Sequence, residues 1–266
     1  MADFSDDTLD ALRDAAFAAA DAARVETLRH FRRNNLVSDN KEADGFDPVT
    51  EGDRAAERAM RGVLRSRRPD DGILGEEFGR LPGTSGLTWV LDPIDGTRAF
   101  ISGAPSWGTL VAVSDDAGPI LGLIDQPYIG ERFYGGPDGA WLESGGARRP
   151  LATRAERPLA DAILFTTFPE IGSESERAAF ERVRDRVKLT RYGLDCYAYA
   201  LLALGQIDLV IEAGLMPYDI QGPLAVVQAA GGVVTDWRGN PAHEGGTVIA
   251  AANPAIHAAA LALLAE

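Results

Sequence analysis

The stretch Trp89-Val90-Leu91-Asp92-Pro93-Ile94-Asp95-Gly96-Thr97 organises the reading of this 266-residue chain. An apolar run, Trp89 to Leu91, has the character of a short buried strand and runs directly into two acids three positions apart. Two carboxylates at a strand end lose hydration and repel each other unless a cation lies between them. Hard oxygen ligands of this kind suit Mg²⁺, which takes octahedral geometry from one or two carboxylates, waters and substrate phosphate. Pro93 stiffens the turn, and Gly96 lets the backbone approach an anion closely. A short helix opening near Thr97 would aim its unbonded N–H groups at the same place, a ready phosphate site. The plainer alternative is an Asx-type turn between two strands, because Asp-Pro and Asp-Gly are common turn dipeptides.

Around this segment the hydrophobic period changes twice. On its N-terminal side, Leu12, Ala15, Ala16, Ala19, Ala23 and Leu28 recur at helical spacing, which predicts a long amphipathic helix over Thr8 to Phe31. A second helix is predicted from Thr50 to about Arg67, with Thr50 as cap and Asp53 favouring the positive helix end. Beyond the segment, Trp107 to Val113, Ile120 to Ile124, Arg132 to Tyr134 and Ala140 to Leu142 are short apolar runs between Gly and Pro clusters. With Thr88 to Leu91 they read as a meander of strands. After Pro158 the pattern mixes strands at Ile163 to Thr166, Ile207 to Ile211, Val233 to Thr235 and Val248 to Ala251 with helices. The helices are Glu174 to Val187, Asp195 to Leu204, Asp219 to Ala230 and Ala255 to Leu264. The fold class is therefore α/β with mixed α+β layers and no strict βαβ alternation. No repeat or linker divides it, so residues 1–266 read as one domain of two coupled halves, approximately 1–150 and 151–266.

Composition narrows the function. Forty acidic against 26 basic residues leave a formal charge of −14, which repels nucleic-acid backbones and anionic membranes alike. Cys196 is the only cysteine, which excludes an intrachain disulfide and a clustered thiolate zinc site and suits a reducing cytosol. Met1 to Asp10 carries four Asp and does not read as a signal peptide, and no 18-residue apolar run exists. A cytoplasmic protein without membrane or nucleic-acid partners is expected. His30, His243 and His257 match no metal or triad spacing, and no serine stands in a G-x-S-x-G context.

Three further acidic segments accompany the first: Asp47-Pro48-Val49-Thr50-Glu51-Gly52-Asp53, Ile73-Leu74-Gly75-Glu76-Glu77 and Met216-Pro217-Tyr218-Asp219-Ile220. Taken alone, Asp53 could simply favour a helix start, Glu77 could be a solvated loop acid, and Asp219 could cap a helix. In this order, the four segments resemble the inositol-monophosphatase-like family of metal-dependent, lithium-sensitive phosphatases, over nearly the whole chain. That resemblance implies an αβαβα sandwich and two or three Mg²⁺ ions. Glu76, Asp92 and the Ile94 carbonyl would hold the first ion, and Asp92, Asp95 and Asp219 the second. It further implies that Asp53 and Thr97 orient the attacking water, with Glu76 beside them among the catalytic groups. The Gly96 and Thr97 amides would cradle phosphate, and the enzyme would be a homodimer acting on a small phosphate monoester.

Within the family so resembled, substrate choice falls outside the metal core, which directs attention to Tyr192-Gly193-Leu194-Asp195-Cys196-Tyr197-Ala198-Tyr199 and Glu212. In the family, a glutamate at the Glu212 offset faces the leaving group, and Asp195 would add a second acid there. Two acids with aromatic neighbours suit a cationic leaving group rather than a neutral inositol ring. Asp195 as a plain helix N-cap, and Tyr197 and Tyr199 as core packing, are the structural alternatives. The segments Pro105-Ser106-Trp107-Gly108-Thr109, Gly122-Leu123-Ile124-Asp125-Gln126-Pro127, Glu131-Arg132-Phe133 and Pro217-Tyr218-Asp219 further resemble the histidinol-phosphate phosphatase branch. The resemblance thus implies conversion of L-histidinol phosphate to L-histidinol in histidine biosynthesis. An inositol monophosphatase, a broad sugar-phosphate phosphatase and a catalytically silent homologue are the competing readings.

Overall fold

A computed structural model describes residues 4–33, 38–40 and 48–265; Asp47 lies outside the described residues. In chain order the elements up to the middle of the chain are α1 (Asp6–His30), β1 (Ser38–Asn40), β2 (Pro48–Thr50), α2 (Glu51–Arg67), β3 (Gly72–Gly75), β4 (Gly79–Leu81), β5 (Thr88–Asp95), α3 (Thr97–Ser102), β6 (Gly108–Asp115), β7 (Gly118–Gln126), β8 (Glu131–Gly136), β9 (Gly139–Ser144) and β10 (Ala147–Pro150). After a single 3-10 turn follow β11 (Ile163–Thr166), α4 (Glu174–Arg184), β12 (Leu189–Tyr192), α5 (Cys196–Ala203), β13 (Leu209–Leu215), α6 (Pro217–Ala229), β14 (Val233–Thr235), β15 (Gly246–Ala251) and α7 (Pro254–Leu264).

Eight strands form one sheet in the order β10-β9-β8-β7-β6-β5-β3-β4, and five form another in the order β12-β11-β13-β15-β14. From β5 to β10 each strand pairs antiparallel with the next, the expected meander. Alternation along the strands assigns their two faces. Val111, Val113, Leu121 and Leu123 pack against Leu12, the α1 alanines and the Met60 and Leu64 side chains of α2. Leu110, Ile124 and Phe133 face the other way, onto α5 and α6, which also receive Phe165, Val210, Val248 and Ala250 of the smaller sheet. The opposite face of that sheet, with Leu164, Leu209 and Ile249, packs on Phe180 of α4 and Ile256 and Ala260 of α7. Helix, sheet, helix, sheet, helix is the resulting sequence of layers, the expected mixed α/β sandwich.

Local chemistry explains the helix starts. Ser5 accepts the Thr8 amide to open α1, with Asp6 and Asp7 in its first turn and Arg29 and His30 in its last, as the helix dipole favours. Thr50 and Asp53 form a reciprocal capping box at α2. Several boundaries differ from the sequence reading. Helix α4 stops at Arg184 rather than Val187, and β13 does not end at Ile211 but continues through Glu212 to Leu215, with a bulge between those last two residues. The four-residue strands β3, β10 and β12 and the three-residue β4 were not expected. They are too short to show a period, and their sequences are Gly-flanked or Arg-rich. Among the described residues, no helix is long and apolar enough to cross a membrane.

Strand β3 lies parallel to β5 with Gly75 opposite Leu91, so the chain leaves β3 at Glu76 beside the Asp92 end of β5. Helix α6 in turn approaches the large sheet closely enough to require glycine. A Cβ on Gly135 would lie 2.4 Å from the Val226 Cα, and one on Gly122 would lie 2.7 Å from the Gly222 carbonyl oxygen. Gly135→Ala is therefore expected to destabilise the protein by about 1–3 kcal/mol through overpacking. Gly62→Ala, on the exposed face of α2 where a Cβ meets nothing within 4 Å, should instead stabilise it by about 0.5–1 kcal/mol. Urea unfolding of the two variants checks both signs.

Candidate active site

Three chain segments converge at the C-terminal end of β5. Asp92 and Asp95 come from the strand itself, Glu76 from the turn after β3, and Asp219 from the first turn of α6. One carboxylate oxygen each from Asp92, Asp95 and Asp219 lies within 4.8 Å of the others. Asp92 is almost fully buried and accepts the Ile94 amide at 3.0 Å. Burial, followed by the charges of Glu76, Asp95 and Asp219, holds its carboxyl well above the ordinary range. Asp95 is raised in the same way, by burial and then by Asp195 and Asp219, against the 2.6 Å hydrogen bond that it accepts from the Cys196 amide. Crowded acids that resist ionisation together make a donor set that fits a hard divalent cation.

Beside this cluster, Thr97 opens α3. Its hydroxyl lies 3.1 Å from the Ile94 carbonyl oxygen and 3.4 Å from Asp53 Oδ1. Asp53 is buried behind it and accepts both the amide and the hydroxyl of Thr50, at 2.8 and 2.5 Å. Burial pushes the Asp53 carboxyl up to about 6, with a smaller contribution from Glu77. Asp53 is thus a capping-box residue and a neighbour of the site at once. Glu77 is half-buried rather than solvated. The first i→i−4 bond of α3 runs from Phe100 N–H to the Gly96 carbonyl. The amides of its first turn are therefore outside the intrahelical ladder, as expected.

Opposite, Asp195 stands at the start of α5, but its side chain makes no cap. Its backbone sits at φ +47°, a conformation rare outside glycine, and its carboxylate packs against Gly96. A Cβ on Gly96, itself at φ +83°, would lie 2.8 Å from the Asp195 carboxyl carbon. Ser106 Oγ lies 3.5 Å from the same carboxylate. The plain N-cap reading of Asp195 is therefore corrected: a strained backbone turns the acid toward the site. Glu212 accepts the Thr166 hydroxyl at 3.1 Å and the amide and hydroxyl of Thr167 at 2.8 and 2.9 Å. Burial raises Asp195 to about 6 and Glu212 to about 7.

A cavity of about 280 Å³ joins these groups. Glu76, Asp92, Ile94, Asp95, Gly96, Thr97, Asp195, Glu212 and Asp219 all line it, and Asp53 reaches it through Thr97. Cys196 is buried, as expected, but also forms part of the wall, as do Arg98 and Phe168, whose guanidinium carbon and ring centroid are 4.7 Å apart.

Glu57 was missed in the sequence. Fully buried on α2, it accepts the Glu77 and Phe78 amides at 2.7 and 3.2 Å and pairs with Arg61 at 2.7 Å. It thereby ties the helix that carries Asp53 to the turn that carries Glu76. Its only sequence signal was an i,i+4 Glu-Arg pair, which ordinarily marks a solvated face.

The chain belongs to the inositol monophosphatase family, whose pattern it matches over residues 8–266. It superposes on the structure of an inositol monophosphatase from Zymomonas mobilis with a TM-score of 0.86 and 38% identity, over 99% of this chain and 100% of that one. Among curated relatives, the bifunctional phosphatase IMPL2 of Arabidopsis thaliana is 44% identical over 89% of this chain and 67% of its own length. The histidinol-phosphatase of Chlorobaculum parvum is 33% identical over 91% of this chain and 92% of its own. These relatives and the family indicate a metal-dependent phosphatase.

The raised carboxyl of Glu212 gives a signed pH prediction. Because its folded pKa, about 7, lies above the unfolded value near 4.5, its contribution to stability is full below the unfolded pKa and is lost as pH rises through about 7. Glu212→Gln removes that loss. In the metal-free protein, its stability relative to wild type should rise by about 2–3 kcal/mol between pH 5 and pH 8, read from urea unfolding at the two pH values.

Proposed function

We propose that the protein is a Mg²⁺-dependent phosphatase that hydrolyses L-histidinol phosphate to L-histidinol and phosphate in histidine biosynthesis. The observation that carries the substrate is the pair of acids, half-buried Asp195 and buried Glu212, on the wall of the cavity that holds the Asp92, Asp95 and Asp219 cluster. A leaving group with an ammonium and an imidazole brings positive charge to these two acids beyond that of Arg98 on the same wall; a neutral inositol ring does not. Several relatives named as histidinol-phosphatases, each 33–34% identical to this chain, support the same choice.

In this reading, Glu76, Asp92 and the Ile94 carbonyl would hold one Mg²⁺, and Asp92, Asp95 and Asp219 a second, two or three ions in all. Bound Mg²⁺ supplies Lewis acidity to the water and to the leaving alkoxide of an in-line displacement. The chain's own groups then do the positioning. Thr97 Oγ has one proton to give, to Ile94 or Asp53, and its lone pairs are left to orient the attacking water. Asp53, ionised above about pH 6, fixes that hydroxyl and draws the water's proton toward it. The Gly96 and Thr97 amides bind phosphate oxygens, and Asp195 and Glu212 fix the leaving group so that the scissile bond lies in line. We place this activity in one catalytic unit spanning both halves of the chain, in a cytoplasmic homodimer.

Phosphate release from L-histidinol phosphate, inositol 1-phosphate and fructose 1,6-bisphosphate, each with Mg²⁺ and with chelator, tests the assignment. A strong Mg²⁺-dependent preference for histidinol phosphate is expected; preference for inositol phosphate would move the protein to the alternative reading that the Zymomonas mobilis structure represents. Asp195→Ala should cost about 2 kcal/mol, some 30-fold in kcat/KM, on histidinol phosphate and much less on an uncharged ester. Equal losses on both would refute the role of Asp195. Asp92→Asn should reduce turnover to the chelator background, and residual activity unchanged by that substitution would mark a contaminant and a silent homologue.

A further inference from the structure

Tyr199 follows Asp195 by four positions, one turn into α5, and both residues line the active-site cavity. It is 3% exposed and forms part of the wall of the active-site cavity. Its hydroxyl is buried and has no hydrogen-bond partner among the described residues. The other well-enclosed phenols behave differently: Tyr134 donates to Asp138 and Tyr197 to Glu131, each at 2.5 Å. A buried hydroxyl without a partner is costly, and native folds tolerate one where function requires it. Glu212, Asp95 and Asp219 line the same cavity, so Tyr199 stands among its carboxylates. Glu212 has already committed three of its roughly four acceptor positions to Thr166 and Thr167, which leaves it about one for a polar leaving group.

We propose that the Tyr199 hydroxyl is a specificity-determining substrate contact that takes a hydrogen bond from a nitrogen of the leaving group, between Asp195 and Glu212. The proposal rests on the histidinol phosphate reading and adds a third, uncharged group to the pair of acids. A phenol suits this position because its oxygen accepts from an ammonium or imidazolium N–H, while its own proton remains available to a neutral imidazole nitrogen. Core packing, the alternative role for Tyr199, needs only the ring and predicts that phenylalanine would serve equally well.

Tyr199→Phe separates the two. With wild type and variant assayed on L-histidinol phosphate, inositol 1-phosphate and phenyl phosphate, the rise in KM for histidinol phosphate should exceed that for the other two esters by about five- to twentyfold, with kcat changing far less. The thermal midpoint of the metal-free variant should not fall, because no bond within the fold is removed. Losses of equal size on all three esters, a loss confined to inositol phosphate, or a lowered midpoint would each overturn the assignment. The wild-type ranking of the three esters tests the substrate reading alone, whereas the variant-to-wild-type ratio on each ester tests Tyr199.

Discussion

Repulsion among Asp92, Asp95 and Asp219 is the constraint on which the rest of the structure depends. With oxygens no more than 4.8 Å apart, each pair of full charges costs on the order of 3 kcal/mol at an effective dielectric of about 20. Three such pairs approach the whole folding stability of an ordinary domain, about 5–15 kcal/mol. The chain must therefore retain protons on these groups or neutralise them with cations, and burial together with mutual repulsion pushes the Asp92 and Asp95 carboxyls upward. What keeps the acids together is placed around them: the parallel register of β3 on β5, the α6 start that returns Asp219 to the Met216 amide at 2.7 Å, and the Cys196 amide on Asp95. Each is anchored on backbone: a strand ladder in the first case, and in the other two an amide that donates to the acid's own side chain.

The same logic explains why helix starts crowd the site. Asp53 and Asp219 each occupy the third position of a helix, where a carboxylate reaches back to the cap amide. There the helix dipole offsets part of the repulsion at no cost in side-chain entropy, because the side chain is already held by its own turn. Sequence alone could not separate capping from chemistry at these positions, since one geometry serves both.

What was legible in the sequence follows from this division. Long periodic segments, the meander and the acids of the Asp92 to Thr97 string declare themselves locally, through period, turn chemistry and the cost of adjacent charges. The αβαβα stacking followed from family resemblance, not from periodicity, because which faces meet depends on contacts between residues far apart in the chain, such as Leu110 and Ile124 with Val226. Glu57 was illegible for a related reason. Its partners, the Glu77 and Phe78 amides, are backbone groups twenty residues away and leave no trace in side-chain pattern.

In the proposed reading, the left-handed backbone of Asp195 marks where metal chemistry gives way to recognition. An aspartate at φ +47° without a capping bond gains nothing locally, and such backbone strain costs about 1–3 kcal/mol. Gly96, whose missing Cβ makes room for that carboxylate, belongs to the turn that carries Asp95. The phosphate-binding turn and the α5 start are therefore built against each other. A larger residue at position 96 would displace the recognition acid, and a relaxed backbone at Asp195 would turn it away from the cavity. In the proposed reading, the distance from phosphorus to the leaving group's charge is set at that one contact, so the turn that carries Asp95 would also measure the substrate.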